Sequence, residues 1–255
     1  MGNVKMLARL LTILAVFGVV SAHAAGGASL PLGKADIDPG NINSLQRGAR
    51  NYMNYCSGCH SAKYVRFETI GDYLELSEEQ LADNLMFNAE KTFETIRSAM
   101  PEADSRRWFG VAPPDLSLMA RSKGVDYIYN FLKGFYLDPA SPTGVDNLVL
   151  TGTSMPHVLW ELQGYQDAVF LEHTDESADG ATTTRHFDGF EAVTAGTMDA
   201  EDYDSFVRDT VNFLAYIAEP NRAERRMLGM WVIIYLFVFL IIARMLKKQI
   251  WKDVS

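Results

Sequence analysis

Two apolar runs bracket the chain, and the stretch between them alternates helical stripes with loops rich in Gly, Pro and Asp. The first run, Leu10 to Val20, is short and follows Lys5 and Arg9; Ala22-His23-Ala24 after it has the small-x-small pattern cut by a signal peptidase. Residues 1–24 therefore read as an export signal, since the run falls short of the ~20 residues that a bilayer demands. The second run, Met227 to Ala243, carries no charge, and Arg244 can snorkel to extend it to Leu246. At 1.5 Å per residue this gives ~20 residues and ~30 Å, enough to cross the hydrocarbon. Trp231 and Trp251 sit near its ends as interfacial aromatics do. Residues 222–246 are thus read as a transmembrane anchor and 247–255 as a short tail. Arg222, Arg225 and Arg226 before the anchor balance Lys247, Lys248 and Lys252 after it, so the export signal sets the orientation. Residues 25–221 lie outside the cytoplasm and the tail inside.

Within that exported stretch, residues 25–42 look like an extended lead-in. From Ser44 a helical stripe runs through Leu45, Ala49, Tyr52 and Met53. Ser77-Glu78-Glu79-Gln80 forms a capping box that opens a second helix, running brokenly towards Met100 and ended by Pro101. Residues 101–117 read as loop. A helix is expected over Val125 to Lys133, capped by Gly134, followed by a long functional loop from Asp138 to Ser154. The run from Thr182 to Val193 has strand character, with Asp188-Gly189 as a hairpin turn. Asp202 to Ala218 is the last soluble helix, and Pro220 follows it.

Composition adds two constraints. A formal charge of −9 argues against nucleic acid as a partner and suits a basic protein partner. The acidity is local: residues 161–219 hold 14 Asp and Glu against Arg185 and Arg208, with Asp175-Glu176…Asp179 and Glu201-Asp202…Asp204 as the densest groups. A solvated face is the plain reading, and a steering surface for a positively charged partner the functional one. The 2 cysteines lie three positions apart, so no disulfide framework is available.

Those cysteines belong to Cys56-Ser57-Gly58-Cys59-His60, the C-x-x-C-H signature of covalent haem attachment. On a helical turn both thiols share a face and reach the two vinyl groups of one haem edge, while His60 is placed under the iron as proximal ligand. A redox dithiol would want a βαβ setting and a zinc site two more close ligands, and neither pattern is present. Three side chains compete for the sixth position. Met155 stands in a Gly-Thr-Ser loop where it is free to turn inwards. Met100 ends a helical pattern that looks like core, and His157 would give a bis-histidine iron.

With the haem motif, Ala112-Pro113-Pro114-Asp115-Leu116-Ser117, the Arg121…Asp126-Tyr127 spacing, Met155-Pro156 and Phe213-Leu214-Ala215-Tyr216-Ile217-Ala218-Glu219-Pro220 before the anchor resemble bacterial cytochrome c1. The resemblance covers nearly all of the mature chain. It implies a mainly α fold like class I cytochrome c, with long loops around one covalent haem c. It also implies Met155 as axial ligand beside His60, Arg121 on a haem propionate, Tyr127 hydrogen-bonded near it, and Pro113 and Pro114 against the ring edge. Arg107-Trp108-Phe109-Gly110-Val111 departs from the asparagine-glycine-alanine lead-in of many relatives. The resemblance further implies electron transfer within the dimeric quinol:cytochrome c oxidoreductase (bc1) complex of a bacterial inner membrane, with the haem domain in the periplasm. The electron would come from the Rieske iron–sulfur subunit, beside cytochrome b, and leave to a soluble or anchored cytochrome c. A free-standing anchored shuttle or an oxidase-associated subunit is the alternative.

Overall fold

The computed structural model describes residues 33–177 and 180–252, with the side chains of 172–185 and of residue 223 left aside. Residues 1–24, read above as an export signal, lie outside the described residues. Two helices carry the core: α1, Ile42–Tyr55, and α8, Ala200–Ala218. Between them come β1 (Ala62–Arg66), α2 (Phe67–Tyr73), α3 (Glu78–Leu85), β2 (Thr95–Ile96), α4 (Glu102–Phe109), α5 (Met119–Lys123), α6 (Val125–Lys133), β3 (Phe135–Leu137), β4 (Val145–Asn147), α7 (Trp160–Gln163), β5 (Gln166–Ser177) and β6 (Gly180–Ala192). The last helix, α9, spans Arg222–Ile250.

The α1 stripe does what its period demands. Asn41 caps the helix by accepting from the Ser44 amide at 3.1 Å, and Leu45, Ala49, Tyr52 and Met53 are buried. The helix meets α8 at Gly48, where an added Cβ would lie 2.0 Å from the carbonyl oxygen of Asp209. The two backbones touch there, so only glycine fits. Polar groups lock the crossing: Ser44 Oγ donates to Asp209 Oδ1 at 2.6 Å, and Arg47 grips the same carboxylate through Nε at 2.5 Å and Nη2 at 2.9 Å. Asn51 Nδ2 donates to Phe206 O and Thr210 Oγ1, each at 3.2 Å.

Several expectations shift. The helix opened by the Ser77 box ends at Leu85, and the Asn88 amide side chain turns back to the Arg97 carbonyl rather than continuing a helix. Residues 101–117 are not all loop. Pro101 starts α4 instead of only ending what precedes it, because Glu102 and Asp104 suit the first turn and Arg106 and Arg107 the last. Gly110, at φ 77, closes α4 in the left-handed region. The loop from Asp138 to Ser154 contains β4, paired antiparallel with β3 from Phe135↔Asn147 to Leu137↔Val145. Asp188-Gly189 is not a turn: β5 and β6 form one long antiparallel hairpin, and the register passes from Val169↔Gly189 to Phe170↔Phe187, leaving Asp188 as a bulge. The helix over Val125–Lys133 stands as read, with Gly134 as its cap.

Helix α9 contains the one candidate span among the described residues, Glu224–Ile250, with a mean hydropathy of 2.3 and none of its apolar window buried against the protein. A helix apolar on all sides with no protein to cover it needs a lipid or protein surround. At its base Glu219 accepts from Arg225 at 2.7 Å and lies 3.8 Å from both Arg121 and Arg222.

Candidate functional site: a haem cavity

Immediately after α1 the chain coils through Ser57 to Cys59, and His60 Nδ1–H donates to the Pro114 carbonyl at 2.8 Å. This contact is built by stitching two segments. Leu116 N donates to Ser61 O at 2.8 Å, Lys63 N to Asp115 Oδ2 at 2.9 Å, and Tyr64 N to Ser117 Oγ at 3.1 Å. Asp115 also accepts from Ser117 N at 3.0 Å, an Asx turn that sets the Pro114 carbonyl in place. With its proton on Nδ1, the imidazole keeps the Nε2 lone pair for a metal. Burial holds the His60 ring below the ordinary histidine range, against the pull of the Pro114 carbonyl and Asp115, and a neutral ring is the form that ligates. Tyr52 Oη donates to the His60 carbonyl at 2.7 Å from inside the core.

These residues open onto a cavity of about 580 Å³. Cys56, Cys59 and His60 line it from one segment, Pro113, Pro114 and Leu116 from the next, and Met119, Lys123, Tyr127 and Phe131 from α5 and α6. Thr151 to Pro156 and Val158 to Leu159 line it from the loop after β4, and Phe206, Thr210 and Leu214 from α8. Such a volume and mainly apolar lining suit a single large flat ligand. Burial, and then Cys59 beside it, pushes the Cys56 thiol up to about 12, and burial raises Cys59 as well. A reactive redox dithiol wants the opposite shift, so these shifts disfavour a dithiol–disulfide role for the pair. No group of three or more His, Cys, Asp or Glu side chains placed to hold a bare metal ion occurs among the described residues. The donors at hand match a ring that brings its own four nitrogens and asks the protein for two axial ligands.

Of the three candidates for the second axial position, Met155 alone lines the cavity. Its amide donates to Thr153 Oγ1 at 3.4 Å. The loop that presents it is organised by two buried residues the sequence did not flag: Asp146 Oδ1 accepts from Gly152 N at 2.7 Å, and Asn147 Oδ1 from Val149 N at 2.9 Å. Asn147 Nδ2 in turn donates to Phe131 O at 2.8 Å, tying the loop to α6. Met100 sits away from the lining, its amide on Ser98 Oγ at 3.0 Å, while Ser98 Oγ itself donates to Gly58 O at 2.6 Å behind the haem motif. His157 is buried off the lining, stacked on Phe135 with centroids 5.0 Å apart, and burial lowers its ring to about 4. Pro113, Pro114 and Tyr127 reach the cavity; Arg121 does not, and its guanidinium stands 3.8 Å from Glu219.

A C-x-x-C-H segment leading out of a core helix, an apolar cavity and an inward methionine on a far loop define a c-type cytochrome domain. The comparisons make the class specific. The Cytochrome C1 family model matches residues 37–254, and the chain belongs to the cytochrome c1 family, whose members carry one covalent c-type haem in an electron-transfer role. It is 42% identical over 244 residues to the cytochrome c1 of Allochromatium vinosum, covering 95% of this chain and 98% of that one. It is 38% identical to the ammonia monooxygenase gamma subunit of Nitrosomonas europaea, covering 91% and 92%. It is 24% identical to cytochrome b/c1 of Bradyrhizobium diazoefficiens, covering 88% of this chain and 34% of the longer one.

Proposed function

We propose that Cys56 and Cys59 hold the haem by thioether bonds, that His60 and Met155 ligate its iron, and that the domain passes electrons outside the cytoplasm. The observation that carries this reading is the single cavity in which the C-x-x-C-H segment and Met155 meet. The haem supplies a one-electron couple, with a His/Met pair favouring a high potential. The chain supplies the rest. Pro114 and Tyr52 fix His60, the Asp146–Asn147 turns present Met155, and the apolar lining keeps water off the iron.

The chain further serves as the cytochrome c subunit of a quinol:cytochrome c oxidoreductase, anchored by residues 222–246 with residues 25–221 in the periplasm. Its electron comes from a mobile iron–sulfur subunit and leaves to a basic cytochrome c. The family membership, the C-terminal apolar helix and a relative whose name joins cytochrome b to c1 support this. Acidic residues around the start of α8 favour a basic acceptor, though Asp204 is already committed to Lys133 and Arg208. The side chains of Asp175 and Glu176, and Asp179 altogether, lie outside the described residues.

A second reading follows from the 38% identical relative named for another enzyme: the same anchored domain serving a different membrane oxidoreductase. Purification of the tagged chain from detergent-solubilised membranes separates the two. The main reading expects a b-type cytochrome and an iron–sulfur subunit to co-purify. It also expects haem reduction by added quinol, and reoxidation by a basic cytochrome c that slows as salt rises. Recovery of the chain alone, or with subunits of another enzyme and no quinol-driven reduction, contradicts it.

A further inference from the structure

The wall that the two crossing helices present to the cavity is not wholly apolar. Asn51 of α1 and Thr210 of α8 line it beside Phe206 and Leu214, and both are buried. A polar side chain in such a wall costs desolvation unless its atoms find partners. Thr210 is satisfied: its hydroxyl donates to Phe206 O at 2.8 Å and accepts from Asn51 Nδ2 at 3.2 Å. Asn51 is satisfied on one side only. Its amide nitrogen donates to Phe206 O and to Thr210 Oγ1, which uses both of its hydrogens. A carbonyl can only accept, so the nitrogen must face α8 and Oδ1 must face away from that contact. No described residue donates to Oδ1, yet it is not sealed in. Among the described residues the enclosed side-chain oxygens without a partner are those of Gln163 and Asn212. The small accessible part of Asn51 therefore includes Oδ1, and the open space that Asn51 borders is the cavity.

A link between α1 and α8 accounts for Nδ2 and for Thr210, but not for a carbonyl dipole whose negative end is turned to an apolar space. What that dipole can do there is electrostatic. Oxidised haem carries one more positive charge than reduced haem, and in a space lined by apolar groups the field of a nearby dipole is weakly screened. A negative end facing the ring stabilises the oxidised form and so lowers the reduction potential. We propose that Asn51, held by Thr210 and the Phe206 carbonyl, tunes the potential of the haem downwards, opposing part of the rise that a His/Met pair confers. This rests on the haem occupying the cavity. Thr210 is then a positioning residue that acts through Asn51, by fixing the plane of its amide.

The test is a redox titration of the full-length, haem-loaded protein for wild type, Asn51→Leu, Thr210→Val and Thr210→Ser, with the urea midpoint of each measured alongside. Covalent haem is checked first on the denatured chain, and a wild type without it would sink the cavity reading itself. The near-infrared sulfur-to-iron band of the oxidised protein then shows whether sulfur ligation survives each substitution. Asn51→Leu should keep the band and shift the equilibrium ~tenfold towards the reduced form at a fixed solution potential, a rise of ~59 mV for one electron. Thr210→Val should raise the potential by less, because Phe206 still holds the amide nitrogen. Thr210→Ser should match wild type, since it keeps the hydroxyl. If Asn51→Leu takes up no haem, the two Thr210 variants carry the test and must differ in that order. A helix cross-link and nothing more would lower the urea midpoint of Asn51→Leu and leave its potential unchanged, and that result overturns the proposal. So does a fall in potential, or a change that comes only with loss of the band.

Discussion

His60 is held from two sides, by the Pro114 carbonyl on its ring and by the Tyr52 hydroxyl on its backbone. Neither partner could be named from spacing, because both depend on which segments meet after folding. The motif itself was legible, since thiol, thiol and imidazole lie within five residues and their chemistry is local. The sixth position was partly legible: three side chains fitted the pattern, the loop and the resemblance favoured Met155, and of the three Met155 alone lines the cavity. Met155→Leu should abolish the weak near-infrared sulfur-to-iron absorption of the oxidised protein and lower its potential, whereas Met100→Leu should leave both intact; the reverse outcome would move the ligand. A second residue-scale prediction concerns Asp204. Burial opposes its ionisation, but Lys133, Tyr129 and Arg208 outweigh burial and hold its carboxyl at about 2. A carboxyl depressed in the fold from the ~3.9 of an unfolded chain stabilises fully above that value and loses the effect as pH falls towards 2. Discounted for its partial exposure this is worth ~1 kcal/mol. Asp204→Asn should therefore lower stability at neutral pH and flatten the acid limb of unfolding between about pH 4 and 2, as followed by circular dichroism. An unchanged acid limb would leave the cluster without energetic weight.

Among the elements, α1, α6 and α8 were readable because each carries an apolar stripe of helical period with a recognisable cap or stop. Helix α4 was not, since its eight residues bury only Ser105 and offer no stripe; its signal lay in charge placement at the two ends. The β5–β6 hairpin was seen only in part: Asp-Gly is the strongest short turn signal, and here a bulge uses it in mid-strand. What positions the cavity is the α1–α8 crossing, and its weak point is Gly48. With a carbonyl oxygen 2.0 Å from where a Cβ would sit, Gly48→Ala must part the helices. The expected cost is ~3 kcal/mol, at the upper end of overpacking, with the urea midpoint falling while the haem spectrum of the folded fraction persists. A midpoint equal to that of wild type would mean that the helices do not touch there.

For the molecule as a whole, two positions along the chain set its layout: the end of α8 at Ala218 and an apolar helix that begins a few residues later. Every residue on the cavity lies upstream of Met227, and so do Glu219 and its arginine partners. Ending the chain before Met227 should thus release a soluble domain with its haem and potential unchanged. Retention of that product in salt-washed membranes would mean a second anchor. The most direct test of the account is the intact mass of the purified full-length chain under denaturing conditions. One haem is expected on the polypeptide, and the bare polypeptide mass when Cys56→Ala and Cys59→Ala are combined. A wild-type chain at bare mass, with its haem free in solution, would contradict it.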